Sequence, residues 1–291
     1  MSETLNIMRP MKYWWLYFAI SLSVIIPGTY SLIKFGLRPA IDFTGGSSMV
    51  WRDKTATKAS IEASATKLGI TIDSLTVSGD TWTVTTSPLD SDTHTKFVPS
   101  GAIELSYDTV GPSLGGELIV KTAYGLILAA TLILLYVAYR FQNITFGASA
   151  ILAMLHDLLV VLGVFSLLGH FYGVRVDTLF VTALLTILSF SVHDTIVVYD
   201  RIRELKKKHG YLDFEDIVNR AVVETMGRSL NNSLTIIFML LAMYLLGGDT
   251  TKWFILALLV GTVSGTYSST FTAAPILMLW HRFSGRRKYK K

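Results

Sequence analysis

Six runs of apolar residues, each long enough to cross a lipid bilayer, restrict this chain more than any other feature. They lie near 13–34, 118–139, 147–169, 178–199, 229–247 and 253–280. Crossing the hydrocarbon core takes about 20 apolar residues in a helix. Hydrophobic residues make up 51% of the chain and charged residues 16%, against roughly 25% charged in soluble domains. The sequence therefore predicts a polytopic α-helical membrane protein with six transmembrane helices, the first interrupted at Pro27-Gly28.

Lysine and arginine are unevenly distributed between the two ends of these runs. The short connections on one side carry only Arg175 and Lys252. The other side carries fifteen: Arg9, Lys12, Arg140, Arg201, Arg203, Lys206, Lys207, Lys208, Arg220, Arg282, Arg286, Arg287, Lys288, Lys290 and Lys291. Cytoplasmic loops hold the excess of positive charge, so we expect both termini in the cytoplasm. The predicted organisation has four parts: 1–34 (N-terminus and first helix), 35–117 (outer domain), 118–280 (five-helix bundle with a cytoplasmic loop at 200–227) and 281–291 (basic tail).

The segment 35–117 is the one long connection, and it lies on the outer side. Its 6 Lys/Arg against 10 Asp/Glu give it a negative charge, unlike the rest of the chain. Alternating patterns at 47–52, 75–79, 81–87 and 102–110 predict strands. A helix is predicted at 55–69, with a second, short one within 91–99. This order predicts a small α+β domain of the ferredoxin-like type, serving binding or mechanical coupling without catalysis.

Two aspartates lie inside predicted spans, and each directly follows a histidine. Asp157 follows His156 in the third run, and Asp194 follows His193 in the fourth. A charge at that depth costs a few kcal/mol, so such residues usually face a bundle interior or an aqueous cavity and mark proton or ion pathways. The pattern predicts a protein that moves protons, although His156 and Asp157 are also consistent with a structural hydrogen-bond network.

Several function classes are excluded or disfavoured by composition. The chain has no cysteine, which excludes disulfides, thiol catalysis and cysteine-based metal sites. We expect no cofactor, no metal and no nucleic-acid partner, since the net positive charge is explained by topology. Asp200, Arg201 and Arg203 follow the fourth run, where we expect them to bind lipid headgroups and cap the helix. Small residues every fourth position in the last run (Gly261, Gly265, Ser269 and Ala273) predict close helix packing.

An ordered set of motifs resembles the SecF family of bacterial protein-export membrane proteins. The set begins with Asp42, Phe43, Thr44, Gly45 and Gly46, and continues with 110–118 before the second run and His156-Asp157 in the third. It ends with 191–199 in the fourth run, which leads into Asp200-Arg201. The resemblance covers nearly the whole chain.

This resemblance implies a fold and a function. Family members are similar to one half of an RND-type transporter, pair with SecD, associate with the SecYEG channel and use the proton-motive force to export unfolded polypeptide across the bacterial cytoplasmic (inner) membrane. Asp194 corresponds to the family's proposed proton site, and Arg228 to an arginine that opens the fifth span as its counter-charge. The chain departs from the family pattern at His193, where asparagine is usual, and at Gly227 and Ser229, which flank Arg228 in place of Ser and Thr.

Three other functions are consistent with parts of the sequence. Half of a proton-driven RND-type small-molecule transporter is the main alternative, disfavoured by the small outer domain. An intramembrane aspartyl protease would need a Gly-x-Gly-Asp motif, and Leu246 stands where its first glycine belongs before Asp249; we expect no enzymatic activity. A purely structural subunit would be unaffected by replacement of Asp194.

Overall fold

The computed structural model describes residues 8–141, 143–248 and 250–288, and ten α-helices and four strands lie within these ranges. In chain order the helices are α1 (Trp14–Phe35), α2 (Ile41–Thr44), α3 (Lys58–Leu68), α4 (Ser91–Phe97), α5 (Pro112–Phe141), α6 (Ile144–Tyr172), α7 (Thr178–Lys208), α8 (Phe214–Leu246), α9 (Lys252–Ser268) and α10 (Ala274–Lys288). The strands are β1 (Gly46–Arg52), β2 (Ile72–Ser78), β3 (Thr81–Thr86) and β4 (Ile103–Val110). Within the described ranges, six helical segments are long and apolar enough to cross a membrane, as predicted.

The first span is one uninterrupted helix, so the predicted break at Pro27-Gly28 is wrong. Pro27 lies inside α1, which continues to Phe35. Proline is tolerated in transmembrane helices because neighbouring helices and side-chain hydroxyls satisfy the freed backbone groups. Gly28, the next residue, is buried against Gly163 of α6, so the two helices pack closely directly after the proline.

The predicted cytoplasmic loop at 200–227 is mostly helical. α7 continues to Lys208 and α8 begins at Phe214, so only residues 209–213 connect them. Both extensions contribute buried apolar side chains to the main core of the helical bundle, at helical spacing: Ile202 and Leu205 from α7, Ile217 and Val218 from α8. This burial stabilises both helices beyond the predicted ends of their spans.

The outer segment forms a four-stranded antiparallel sheet in the order β2-β3-β1-β4. With α3 between β1 and β2 and α4 between β3 and β4, this is the predicted ferredoxin-like arrangement. Its core contains alternate residues of the two central strands, Met49 and Trp51 of β1 and Trp82 and Val84 of β3, together with Ile61 of α3. The alternation in the sequence therefore reports burial on one face of the sheet.

Contacts divide the chain into two compact units, which we describe separately. The outer unit contains Pro39–Gly125 with Arg175–Thr178. The helical unit contains Arg38 and the residues before it, Leu126–Val174 and the residues from Leu179 onwards. Within the helical unit, α9 and α10 are joined by a short π-helical stretch, Ser269–Ala273.

Candidate proton site in the helical bundle

Asp194 lies on the buried face of α7, and its side chain is bound by a single serine. Its residue is 4% exposed. The hydroxyl of Ser229 on α8 donates a hydrogen bond to Oδ2 of Asp194 at 2.6 Å. A hydroxyl can donate to a carboxylate or accept from a carboxylic acid. The contact therefore suits both protonation states of Asp194.

Within the described part of the chain, neither Arg228 nor His193 forms a hydrogen bond with this carboxyl group. Both are exposed on the helical unit, whereas their neighbours Ser229 and Asp194 are buried. The ion pairs among the described residues do not include Arg228. Successive residues of a helix point about 100° apart, so burying Ser229 turns Arg228 away from Asp194. The predicted pairing of Arg228 with Asp194 is absent from this arrangement, and the proton-transfer roles of Arg228 and His193 stay predictions.

Asp157, on α6, is the most enclosed acid in the bundle. Its residue is fully buried, at 0% exposure. Oδ2 accepts hydrogen bonds from Ser191 of α7 at 2.5 Å and from Ser268 at 2.6 Å, and Oδ1 accepts one from Ser264 at 2.6 Å. Ser264 and Ser268 both lie on α9. Three serine hydroxyls from two other helices therefore converge on one carboxyl group.

His156 connects this carboxyl group to the first span. Its Nδ1 lies 3.0 Å from Oδ1 of Asp157, and its Nε2 lies 2.9 Å from the hydroxyl of Ser21 on α1. Both ring nitrogens are therefore in hydrogen bonds, and the imidazole is 8% exposed. Together, His156 and Asp157 join α6 to α1, α7 and α9.

The α1–α6 pair is in a parallel register that positions His156. Ser21 meets His156 and Ser31 meets Ser166, and both pairs are separated by 135 positions in the sequence. Between them, at the same separation, Gly28 and Gly163 bring the two backbones into direct contact. Small residues allow such close approach of membrane helices.

The small-residue ladder of the last span packs as predicted. A Cβ at Gly261 would lie 2.3 Å from the Ile187 side chain, and one at Gly265 would lie 3.5 Å from the backbone of Ser191. This close contact brings Ser264 and Ser268 to Asp157. The π-helical turn Ser269–Ala273 begins directly after Ser268; such turns are frequent at functional sites.

The Asp42 motif is located in the outer unit, where it caps a transmembrane helix. Oδ2 of Asp42 accepts hydrogen bonds from the backbone N–H (3.0 Å) and the hydroxyl (2.8 Å) of Thr178, the first residue of α7. Gly45 and Gly46 have φ of +73° and +130°, conformations that favour glycine. Asp42 therefore binds one of the N–H groups at the start of α7 that have no partner within the helix.

Asp200 and Arg201 form exposed ion pairs with other side chains of the chain, and their predicted role in lipid binding stays a prediction. Asp200 accepts a 2.5 Å hydrogen bond from Arg140 at the end of α5. Arg201 binds Glu204 on its own helix and Glu224 on α8. The helical extension of α7 and α8 past the predicted span ends places these acids within reach. Asp249, considered above for a protease, lies outside the described residues.

The serines of both acid sites were not predicted as site residues. Ser21, Ser264 and Ser268 carry no motif signal, whereas Ser191 lies in the motif at 191–199 and Ser229 lies next to Arg228. The spacing of Ser264 and Ser268, one helical turn apart in an apolar span, is the signal that could have identified them. Within the described part of the chain, no three His, Cys, Asp or Glu side chains are grouped as a metal site requires.

Comparison with known proteins identifies a family with this architecture. The profile described as "Protein export membrane protein SecD/SecF, C-terminal" matches residues 91–283. The chain is 40% identical to the protein translocase subunit SecF of Thermobaculum terrenum, over 97% of this chain and 96% of that protein. It is also 40% identical to the SecF of Anaerolinea thermophila, over 95% of each.

A solved structure shows the same fold. The crystal structure of SecDF from Thermus thermophilus, described as a translocon-associated membrane protein, matches with a TM-score of 0.83 and 31% identity. The match covers 97% of this chain and 40% of the SecDF chain. The fold is therefore that of one part of a longer, RND-like membrane protein.

Proposed function

Because this chain belongs to the SecD/SecF family of protein-export membrane proteins, we propose that it is the proton-responsive SecF-type subunit of a protein translocase. A role in the Sec pathway follows from the relatives, as does multi-pass membrane insertion. The proposal adds that it uses the proton-motive force to promote export of polypeptide through SecYEG. The translocase names of the relatives favour this over transport of small molecules.

We propose SecD as the direct partner. In the SecDF relative, the region that matches this chain is 40% of one longer polypeptide, so a chain of this size corresponds to one part of the complete unit. We place the complex in the bacterial cytoplasmic membrane with both termini in the cytoplasm, on the distribution of lysine and arginine.

The observation that carries the proposal is the buried Asp194–Ser229 contact. An ionisable group inside a transmembrane bundle indicates a proton or ion pathway, and the serine hydroxyl can bind either protonation state of the carboxyl group. One proton that crosses 100 mV provides about 2.3 kcal/mol. That energy shifts a two-state equilibrium by roughly 50-fold, since each 1.4 kcal/mol is a factor of ten.

The Asp194→Asn variant tests this function. An amide has nearly the size of the carboxyl group but cannot take up and release a proton, so we expect loss of the export that depends on the proton gradient. Export into inverted membrane vesicles, with and without an uncoupler, measures this loss. Asp73→Asn makes the same chemical change at an exposed position of β2 and serves as the control. Gradient-stimulated export at the control level in Asp194→Asn would remove Asp194 from the mechanism.

A further inference from the structure

Within the described part of the chain, every hydrogen bond to the Asp157 carboxyl group involves a side chain that can exchange donor and acceptor roles. The partners are the hydroxyls of Ser191, Ser264 and Ser268 and the imidazole of His156. An ionised carboxylate accepts all four bonds, which matches its roughly four lone-pair positions. A protonated carboxyl group donates one bond, and any of the hydroxyls can accept it. The cage therefore holds either form, unlike one built from backbone N–H groups or an arginine.

His156 gives this enclosed carboxyl group a connection to another helix. Neutral imidazole has one N–H donor and one acceptor nitrogen, and the two can exchange roles. When Nδ1 donates to Asp157, Nε2 accepts from the Ser21 hydroxyl. A proton that enters at Nε2 can thus leave from Nδ1 to Oδ1 of Asp157, and the ring remains neutral after the exchange.

Two tyrosine hydroxyls bind backbone oxygens of the first span. The hydroxyl of Tyr267, on α9, donates to the backbone oxygen of Tyr17 at 2.6 Å, and the Tyr267 ring is stacked near His156, with centroids 6.2 Å apart. The hydroxyl of Tyr17 donates to the backbone oxygen of Pro10 at 3.0 Å. These bonds join α9 to the first span beside the His156 ring.

We propose that His156 and Asp157 form a second proton-exchanging site, which loads and releases its proton through Ser21 on the first span. In loading, the Ser21 hydroxyl gives its proton to Nε2 of His156 while its oxygen takes up a proton from water. The Nδ1–H bond breaks and its proton passes to Oδ1, so the carboxylate becomes a carboxylic acid and the site gains one proton. The role of this second site in export rests on the proposed function, whereas the titration of Asp157 can be measured independently of it.

The new site is adjacent to the Asp194 site through α7. Ser191, which binds Asp157, is three residues before Asp194, and residues at this spacing are neighbours on a helix surface. A further titratable side chain beside the pair is Tyr267 from α9, whose ring is stacked near His156. Among the described residues, His156 and Asp157 form an ion pair with each other and with no other side chain. Two proton sites on neighbouring turns would allow the occupancy of one to influence the other.

Infrared difference spectroscopy on the full chain with its SecD partner in liposomes tests the proposal. Spectra are recorded between low and high pH for the Asp194→Asn protein and for the Asp194→Asn/Asp157→Asn double variant. We expect a buried protonated-carboxyl band that titrates in the first protein and is lost in the second. If the Asp194→Asn protein has no such band that disappears with Asp157, then Asp157 is a fixed charge and the proposal is overturned.

Two further variants keep the test decisive if the double variant does not fold. Ser21→Ala leaves the cage of Asp157 intact but removes the hydroxyl that passes the proton to His156, so we expect the band to respond more slowly to a pH jump. Ser233→Ala removes another buried interhelical hydroxyl contact, the one with Thr266, and should leave the rate unchanged. Equal rates in these two variants would overturn the route through Ser21.

The outcomes separate this inference from the proposed function. If Asp194→Asn stops gradient-dependent export but no Asp157 band titrates, the function holds and the second site does not exist. If the band titrates but export ignores the proton gradient, the second site exists and the proposed function is wrong.

Discussion

Replacement of Gly163 by alanine tests whether the close contact of α1 with α6 positions His156. A Cβ at Gly163 would lie 2.6 Å from the Cα of Gly28 and 3.0 Å from its carbonyl carbon. Ordinary van der Waals contact begins near 3.4 Å, so the new methyl group is roughly 0.8 Å too close to backbone atoms. Backbone cannot rotate away as a flexible side chain can, and the two helices must separate.

This separation has a cost that can be estimated from the structure. Overpacking costs typically about 1–3 kcal/mol. The two hydrogen bonds that share this interface, Ser21–His156 and Ser31–Ser166, contribute about 0.6 kcal/mol each by the average for membrane proteins. We therefore expect Gly163→Ala to lower the free energy of unfolding by about 2–4 kcal/mol.

Unfolding by sodium dodecyl sulfate in mixed micelles, followed by circular dichroism, measures this loss. The control is Gly125→Ala on α5, where a Cβ meets nothing within 4 Å. That variant should be unchanged, or more stable by about 0.5–1 kcal/mol because alanine favours the helix. If the two variants unfold at the same detergent fraction, the helices are not in backbone contact at Gly163 and the reasoning about His156 is refuted.

Three further predictions concern other parts of the chain. Asp42→Ala should destabilise the start of α7 by about 0.5–2 kcal/mol and speed hydrogen exchange at Thr178. Asp42→Asn keeps an acceptor oxygen and should therefore lose less stability. Equal rates of hydrogen exchange at Thr178 in the two variants would contradict the capping role of Asp42. Because Arg228 is exposed, Arg228→Leu should keep full proton-driven export, and Arg228→Lys serves as the charge-conserving control. Loss of proton-driven export in the leucine variant alone would show that Arg228 is a counter-charge to Asp194. The Thr55 hydroxyl bonded to Asp53 lowers the pKa of that carboxyl group. The stabilisation of the outer domain by ionised Asp53 should therefore be present above pH of about 4 and disappear as pH falls through the lowered pKa. A difference in stability between wild type and Asp53→Ala that does not change with pH would contradict this.

The two buried aspartates could be predicted from the sequence, but the side chains that bind them could not. Asp157 and Asp194 were identified because a carboxyl group in an apolar run is costly unless it faces the interior, and both are buried. The partner predicted for Asp194 was Arg228, from the resemblance to the family. The structure provides Ser229 instead, because helix rotation determines which of two adjacent residues faces α7.

Length, apolar periodicity and charge by themselves determined the six spans and the ferredoxin-like order of the outer domain. These properties depend on local quantities, namely the thickness of the bilayer and the alternation of residues in a half-buried strand. Only the tertiary structure decided which hydroxyls surround each acid and where α7 and α8 end. The sequence does not distinguish a serine that faces an acid from one on another helix face. The contact between Gly28 and Gly163 fixes the register of α1 and α6 and so places Ser21 beside His156. The helical extension through 200–208 depends on apolar side chains buried against other helices and on Glu224 meeting Arg201, both of which exist only after the helices have packed.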